Sequence, residues 1–108
     1  MILGYVVRPR ADKDIDDIAD DLAERASLDV GLRFLAAAYE SFALIANQPE
    51  IGWNCRLRRK VLATARVFRV GEPFQKYLIL LHADRVDILR VIHGAQDLEQ
   101  RLAGEDWS

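Results

Sequence analysis

The residues of this chain that are best suited to chemistry are cationic side chains gathered in its second half. Between Ile51 and Gly71 no acidic residue occurs, whereas six basic residues do: Arg56, Arg58, Arg59, Lys60, Arg66 and Arg69. A local field of that sign attracts acidic partners, whether protein or nucleic acid. Residues 1–50 have the opposite balance, with five Lys/Arg against ten Asp/Glu. The net charge of −2 therefore conceals an acidic half and a basic half.

Metal binding and phosphate binding have little support in the sequence. Cys55, His82 and His93 show none of the spacings that metal sites use, and no glycine-rich phosphate loop is present. His93 stands at the end of a strand pattern just before Gly94, where a histidine more often caps a turn than acts as a catalyst. We expect neither a metal nor a cofactor.

Arg90 occurs inside a strand pattern among apolar residues. Strict alternation places it on one face of the strand with Val86, Ile88 and Ile92, and places Asp87, Leu89 and Val91 on the other. Its aliphatic stem should therefore pack, and its guanidinium should pair with a carboxylate or a carbonyl. A carboxylate of a partner protein is the alternative pairing group.

Hydrophobic periodicity predicts two helices and four strands that position these residues. The helices should span 12–26 and 29–47, with a turn at Ala26 to Leu28, and the strands 2–8, 65–70, 76–82 and 86–93. The last three strands have hairpin-short connections and should form an antiparallel meander, with the first strand beside the last. Residues 50–63 read as a loop, with a possible helical turn or edge strand around Leu57 to Leu62.

The predicted core lies where the apolar stripes of the helices meet the sheet. We expect these side chains to be buried: Leu22, Phe34, Leu35, Phe42, Ile79, Leu80, Leu89 and Val91. For a buried leucine such as Leu35, substitution by alanine should cost roughly 2–5 kcal/mol.

Length and composition predict one domain, residues 1–108, with the makeup of a soluble globular protein: 51% of residues are hydrophobic and 30% are charged. The short apolar start from Met1 to Val7 is neither a signal peptide nor a membrane span. The single cysteine, Cys55, cannot form an internal disulfide. We therefore expect a cytoplasmic protein.

The order of these features resembles the RelE/ParE toxin family of type II toxin–antitoxin systems. The resemblance rests on the opening from Tyr5 to Ala11, the acidic first helix, Pro49 with Gly52 after the second helix, and above all the ending Ile88 to Leu98, which is similar to the ParE type. It implies an α+β fold of order β-α-α-β-β-β, with a helical hairpin packed on a small antiparallel sheet. It also implies a ParD-like antitoxin that binds and masks the toxin in a hetero-oligomer.

Two activities compete within that family. ParE-like members are implied to poison DNA gyrase by binding it, without residue chemistry of their own. RelE-like members are implied to cut mRNA in the ribosome, which needs cations around the scissile phosphate and a late general acid or base. Here His93, with Arg66 and Arg90, is the one set that would serve a nuclease. After His93 the chain has no tyrosine, lysine or histidine, so the ending favours the ParE type, with no catalytic residue. A toxin fold that has lost its activity is a third interpretation.

The wide apolar surface of the second helix predicts where the antitoxin binds. A sheet this small leaves part of that surface uncovered, and an amphipathic helix of the antitoxin would lie there and continue over the sheet edge. The positions expected to receive acidic residues of the antitoxin or of the target are Arg56, Arg58, Arg59 and Arg69.

Overall fold

The computed structural model describes residues 4–54, 65–82 and 85–94. Its elements follow one another along the chain as β1 (Val6–Val7), α1 (Pro9–Arg25), α2 (Leu28–Asn47), β2 (Trp53–Asn54), β3 (Ala65–Arg69), β4 (Tyr77–His82) and β5 (Asp87–His93). Two helices packed as a hairpin against one face of a sheet confirm the predicted α+β fold.

The helices match the predicted spans to within one residue except where α1 begins. It starts at Pro9, three residues before the predicted start, because proline in the first turn lacks only an N–H that no helical carbonyl would accept. The hydroxyl of Ser27 caps α2 by accepting a hydrogen bond from the amide of Val30 at 3.2 Å. The turn between the helices therefore lies where the sequence placed it.

The two helices cross at very short range through Gly31. A Cβ built at Gly31 would lie 2.6 Å from the carbonyl oxygen of Ala19 and 3.3 Å from the Cβ of Ala23. The backbones therefore approach more closely than any side chain at position 31 would allow. This contact fixes which flank of α2 lies beside α1.

The sheet has the strand order β1-β5-β4-β3-β2, and it is mixed. The meander β3-β4-β5 is antiparallel, as predicted, and β1 lies beside β5, also as predicted. The expectation of a wholly antiparallel sheet is wrong, because β1 runs parallel to β5 with Val7 opposite Ile88. A strand separated from its neighbour by both helices and three other strands is free of the hairpin geometry that sets direction.

An additional short strand lies within the segment that was predicted to be a loop. Trp53 and Asn54 form β2, which pairs antiparallel with β3 and places Trp53 opposite Val67. The possible edge strand or helical turn around Leu57 to Leu62 lies outside the described residues. Of the predicted first strand, only Val6–Val7 pairs within the part of the chain that the structure describes.

A β-bulge overturns the predicted alternation of the last strand. The register shifts between Leu80, which pairs with Arg90, and Leu81, which pairs with Ile88. One residue is therefore added on β5, and the faces exchange after it. Ile88 and Val91 pack in the cluster shared with the helices, whereas Leu89 and Ile92 pack on the other face of the sheet.

The core contains most of the predicted residues. Six of them are buried: Phe34, Phe42, Ile79, Leu80, Leu89 and Val91. The prediction that Leu22 and Leu35 are fully buried is wrong, since both are half-buried at the border of the core cluster. They lie at the edge of the apolar stripes, where helical periodicity gives the direction of a side chain but not the extent of the neighbouring surface.

Candidate functional site

Arg90 is held inside the protein by Asp14 of α1. Its Nε donates to Oδ2 of Asp14 at 2.6 Å and its Nη2 to Oδ1 at 3.2 Å. Arg90 is only 5% exposed and Asp14 only 8%. The predicted pairing of Arg90 with a carboxylate is therefore confirmed, and its guanidinium faces the α1 side of the sheet rather than an external phosphate.

Arg66 binds the backbone of the segment that precedes β2. Its Nη2 donates to the carbonyl of Glu50 at 2.8 Å and also to the carbonyl of Gly52. Arg66 pairs with Leu81 of β4, and His93 pairs with Tyr77 of the same strand. Leu81 and Tyr77 are four residues apart, so at a rise of about 3.3 Å per residue Arg66 and His93 are separated by roughly 13 Å along the sheet. The structure thus does not bring His93, Arg66 and Arg90 together on one surface.

His93 and Arg69 meet at another place, the end of the sheet. Both line an open cleft of about 420 Å³, together with Gln75, Lys76 and Gly94. His93 is exposed, and its ring meets the ring of Tyr77 edge-on at 5.1 Å between centroids. Of the four predicted binding arginines, Arg69 lies in this cleft, and Arg56, Arg58 and Arg59 lie outside the described residues.

An exposed apolar row runs along α2, as the sequence predicted. Leu28 is 68% exposed, Leu32 55% and Tyr39 42%, and the half-buried Leu35 lies between them. Intervals of four, three and four residues align these side chains on one side of the helix. We call Leu28, Leu32, Leu35 and Tyr39 the apolar row.

A row of exposed carboxylates runs along α1. Asp12, Asp16, Asp20 and Glu24 recur every fourth residue and are exposed, and none forms an ion pair within the described part of the chain. Burial raises the pKa of Tyr39, and the charges of Asp12 and Asp16 raise it further. Because that effect requires proximity, Asp12 and Asp16 of this acidic row lie near Tyr39 of the apolar row.

No group of three or more potential metal ligands occurs among the described residues, and no described helix is long and apolar enough to cross a membrane. The features described on these surfaces are cations, carboxylates and exposed apolar side chains.

Three residues that matter at these sites were not singled out from the sequence. Asp14 had a signal, since it is a carboxylate on a helix flank next to the core positions Ala11 and Ile15. Lys76 had a signal only in the predicted meander, which places the start of β4 beside the ends of β3 and β5. Trp53 had none, since it meets Arg69 through the pairing of β2 with β3.

Comparison with known proteins gives the family. The sequence model of the family described as the ParE toxin of the type II toxin–antitoxin system parDE matches residues 5–98. A solved structure described as a chromosomal ParDE toxin–antitoxin system from P. aeruginosa superposes with a TM-score of 0.65 at 12% identity, over 87% of this chain and 100% of that one. A search of curated proteins finds no match. The structural likeness supports the fold, and the family model covers most of the sequence, so this chain belongs to the ParE toxin family of type II toxin–antitoxin systems.

Proposed function

We propose that this chain is a toxin that binds and poisons DNA gyrase and that a cognate ParD-like antitoxin neutralises it in a hetero-oligomeric complex. Gyrase acts on DNA in the bacterial cytoplasm, and the toxin would act there. The proposal requires a recognition surface and no catalytic residue, which fits the exposed features described above.

The observation that carries this proposal is the position of Arg90. A nuclease of the RelE type would need this cation next to the phosphate that is cut. Instead, Asp14 holds its guanidinium inside the protein, and Arg66 is bound to the carbonyls of Glu50 and Gly52. Release of Arg90 toward an RNA would break its buried ion pair with Asp14, which is costly when one partner stays behind.

The alternative is a ribosome-dependent mRNA endoribonuclease of the RelE type. His93 is the feature that favours it, because this histidine is exposed at the mouth of a cleft with Arg69 and Lys76. Arg66 and Arg90, the cations predicted to act with His93 on a phosphate, are instead bound to Glu50 and to Asp14, which counts against that nuclease set. We therefore rank this activity second.

The apolar row supports the position we propose for the antitoxin. An amphipathic helix of the partner would place apolar residues against Leu28, Leu32 and Tyr39. Its neighbouring positions would face Asp12 and Asp16, so lysine or arginine is expected there. Acidic residues of the antitoxin or of gyrase would meet the basic positions predicted from the sequence, of which Arg69 lies at the cleft.

Plasmid topology in living bacteria tests the proposed target. The chain is expressed from an inducible promoter in cells that carry a reporter plasmid, with and without its antitoxin. Plasmid supercoiling should fall and DNA breaks should accumulate soon after induction, and co-expressed antitoxin should prevent both. Growth arrest with normal supercoiling and newly cut mRNA would contradict the proposal and favour the nuclease.

A further inference from the structure

The strand order places three basic side chains at one end of the sheet. β3 and β5 both run antiparallel to β4, so they run in the same direction and their carboxyl ends lie at the same end of the sheet. Arg69 is the last residue of β3, His93 is the last of β5, and Lys76 immediately precedes β4. Two strand spacings, about 10 Å, separate the backbones of β3 and β5.

The side chains around this end are held in place rather than freely extended. Arg69 donates from Nη1 to the carbonyl of Gln75 at 3.2 Å, and its guanidinium lies 5.4 Å from the ring centroid of Trp53. The ring of Tyr77 packs edge-on against His93. The amide of Gly94 donates to the carbonyl of Lys76 at 2.7 Å, which extends the pairing of β4 and β5 to the cleft. Preorganised cations lose less entropy when they bind an anion.

We infer that this cleft binds the carboxylates of an acidic protein segment, namely a segment of the antitoxin that follows the helix docked on the apolar row. The inference rests on the proposed toxin–antitoxin function and extends it to a second contact of opposite charge. Arg69, Lys76 and His93 supply the donors, and no carboxylate side chain is among the described residues that line the cleft.

The position of the cleft relative to the hairpin supports the antitoxin as its occupant. Burial raises the pKa of Tyr77, the charge of Asp21 raises it further, and Arg25 lowers it. Phe34, about two turns into α2, packs against the ring of Tyr77 at 5.0 Å between centroids, so the end of the hairpin near the turn lies beside the end of the sheet that carries the cleft. A chain that follows the apolar row toward Leu28 and continues past the turn would therefore approach this end of the sheet.

The aromatic rings near the cleft disfavour RNA as the occupant. Single-stranded nucleic acids bind through open aromatic faces on which bases stack. Tyr77 is half-buried and packs edge-on against Phe34 and His93, and Arg69 lies over the ring of Trp53. An acidic protein segment needs cations alone and fits what is present.

A nuclear magnetic resonance titration of the full chain, purified free of antitoxin, tests the chemistry of the cleft. The probe is a glutamate hexapeptide with blocked ends, compared with inorganic phosphate and with a single-stranded RNA hexamer. The chain has two histidines, so His82 on β4 is a built-in control for His93. The peptide should shift the imidazole resonances of His93 and leave those of His82 unchanged.

The double variant Arg69→Gln/Lys76→Gln should bind the glutamate hexapeptide roughly tenfold or more weakly than the unmodified chain, because it lacks two charge-assisted donors. Lys13→Gln, an exposed lysine on α1 paired with Asp17, is the matched control and should change nothing. Tighter binding of the RNA hexamer, equal shifts at both histidines or an unaffected double variant would overturn the inference.

Affinity for the antitoxin itself tests the occupant. The double variant should bind a fluorescently labelled antitoxin roughly tenfold more weakly than Lys13→Gln does, with a shallower dependence on salt. Unchanged affinity for the antitoxin would overturn this assignment even if the peptide binds. Neither readout involves gyrase, so failure here is separate from failure of the proposed target.

Discussion

A single carboxylate oxygen of Asp14 joins α1 to β5 by accepting two hydrogen bonds. Oδ2 accepts from Nε of Arg90 at 2.6 Å and from the backbone amide of Val91 at 3.0 Å. The second oxygen, Oδ1, accepts from Nη2 of Arg90 and lies 3.5 Å from Nε of Arg10. Residues 76 positions apart are thus tied together next to the bulge of β5.

We expect loss of either partner to destabilise the fold strongly. Asp14→Ala or Arg90→Ala breaks a buried ion pair by removing one partner, which typically costs about 3–5 kcal/mol. The paired substitution Asp14→Leu/Arg90→Met removes both charges and should cost less than the sum of the two single changes. Urea denaturation of the four proteins measures this. Asp17→Ala, which breaks the exposed pair with Lys13, should have little effect; equal losses at both sites would contradict a special role for Asp14.

The aromatic core predicts a graded response along α2. Phe34 is fully buried and packs edge-on against Phe74 and Tyr77, so Phe34→Ala should cost about 3–5 kcal/mol of unfolding free energy. Leu35→Ala, at the half-buried neighbouring position, should cost clearly less than a buried leucine would. Chemical denaturation of both variants tests the order. A larger loss for Leu35 would contradict the described packing.

The apolar row predicts how the isolated toxin behaves in solution. Leu32→Ser should reduce self-association of the free chain and weaken antitoxin binding, because it removes exposed apolar area without opening a cavity. Leu44→Ser, which is 40% exposed on another side of α2, is the control and should leave antitoxin affinity unchanged. Light scattering and titration calorimetry report the two effects. Undiminished antitoxin affinity in Leu32→Ser would place the partner on another surface.

How much of this structure was predictable depends on how local the determining interactions are. The helices and the meander follow from periodicity and short connections, and Ser27 marks the start of α2 by a local capping bond. The bulge at Leu80 and Leu81 and the parallel direction of β1 arise from contacts between distant segments, and no local pattern encodes them. The exposed apolar row was predictable because α2 carries more apolar surface than one small sheet covers.

The candidate sites divide in the same way. That Arg90 needs a carboxylate follows from its apolar strand, whereas the choice of Asp14 depends on how α1 lies across the sheet. The proximity of Arg69, Lys76 and His93 depends on the order of the strands, which the predicted meander already contained. Alternate strands of a meander finish at the same end of the sheet.

Alkaline pH should weaken the fold through Tyr39 and Tyr77. Their pKa values are raised above the ordinary value of 10.0, chiefly by burial. A phenol whose pKa is higher in the folded state stabilises the fold while it is neutral, so that contribution is complete below about pH 10 and is lost as pH rises through the folded-state pKa. Phenolate absorbance should therefore rise at a higher pH in the folded chain than in the chain unfolded in urea.

Substitution assigns that alkaline effect to its residues. Tyr39→Phe and Tyr77→Phe should each remove part of the delayed rise in absorbance. A folded chain whose whole titration coincides with that of the unfolded chain would contradict the raised pKa values of these two phenols.

The measurement that tests the central claim most directly adds the purified toxin, freed from its antitoxin, to gyrase with relaxed plasmid and separately to translating ribosomes. His93→Ala is compared with the unmodified chain in both reactions, because the proposed mechanism uses no proton transfer. We predict that both proteins inhibit supercoiling and that mRNA on the ribosomes stays intact. Codon-specific cleavage of mRNA that disappears in His93→Ala, with supercoiling unaffected, would contradict the account.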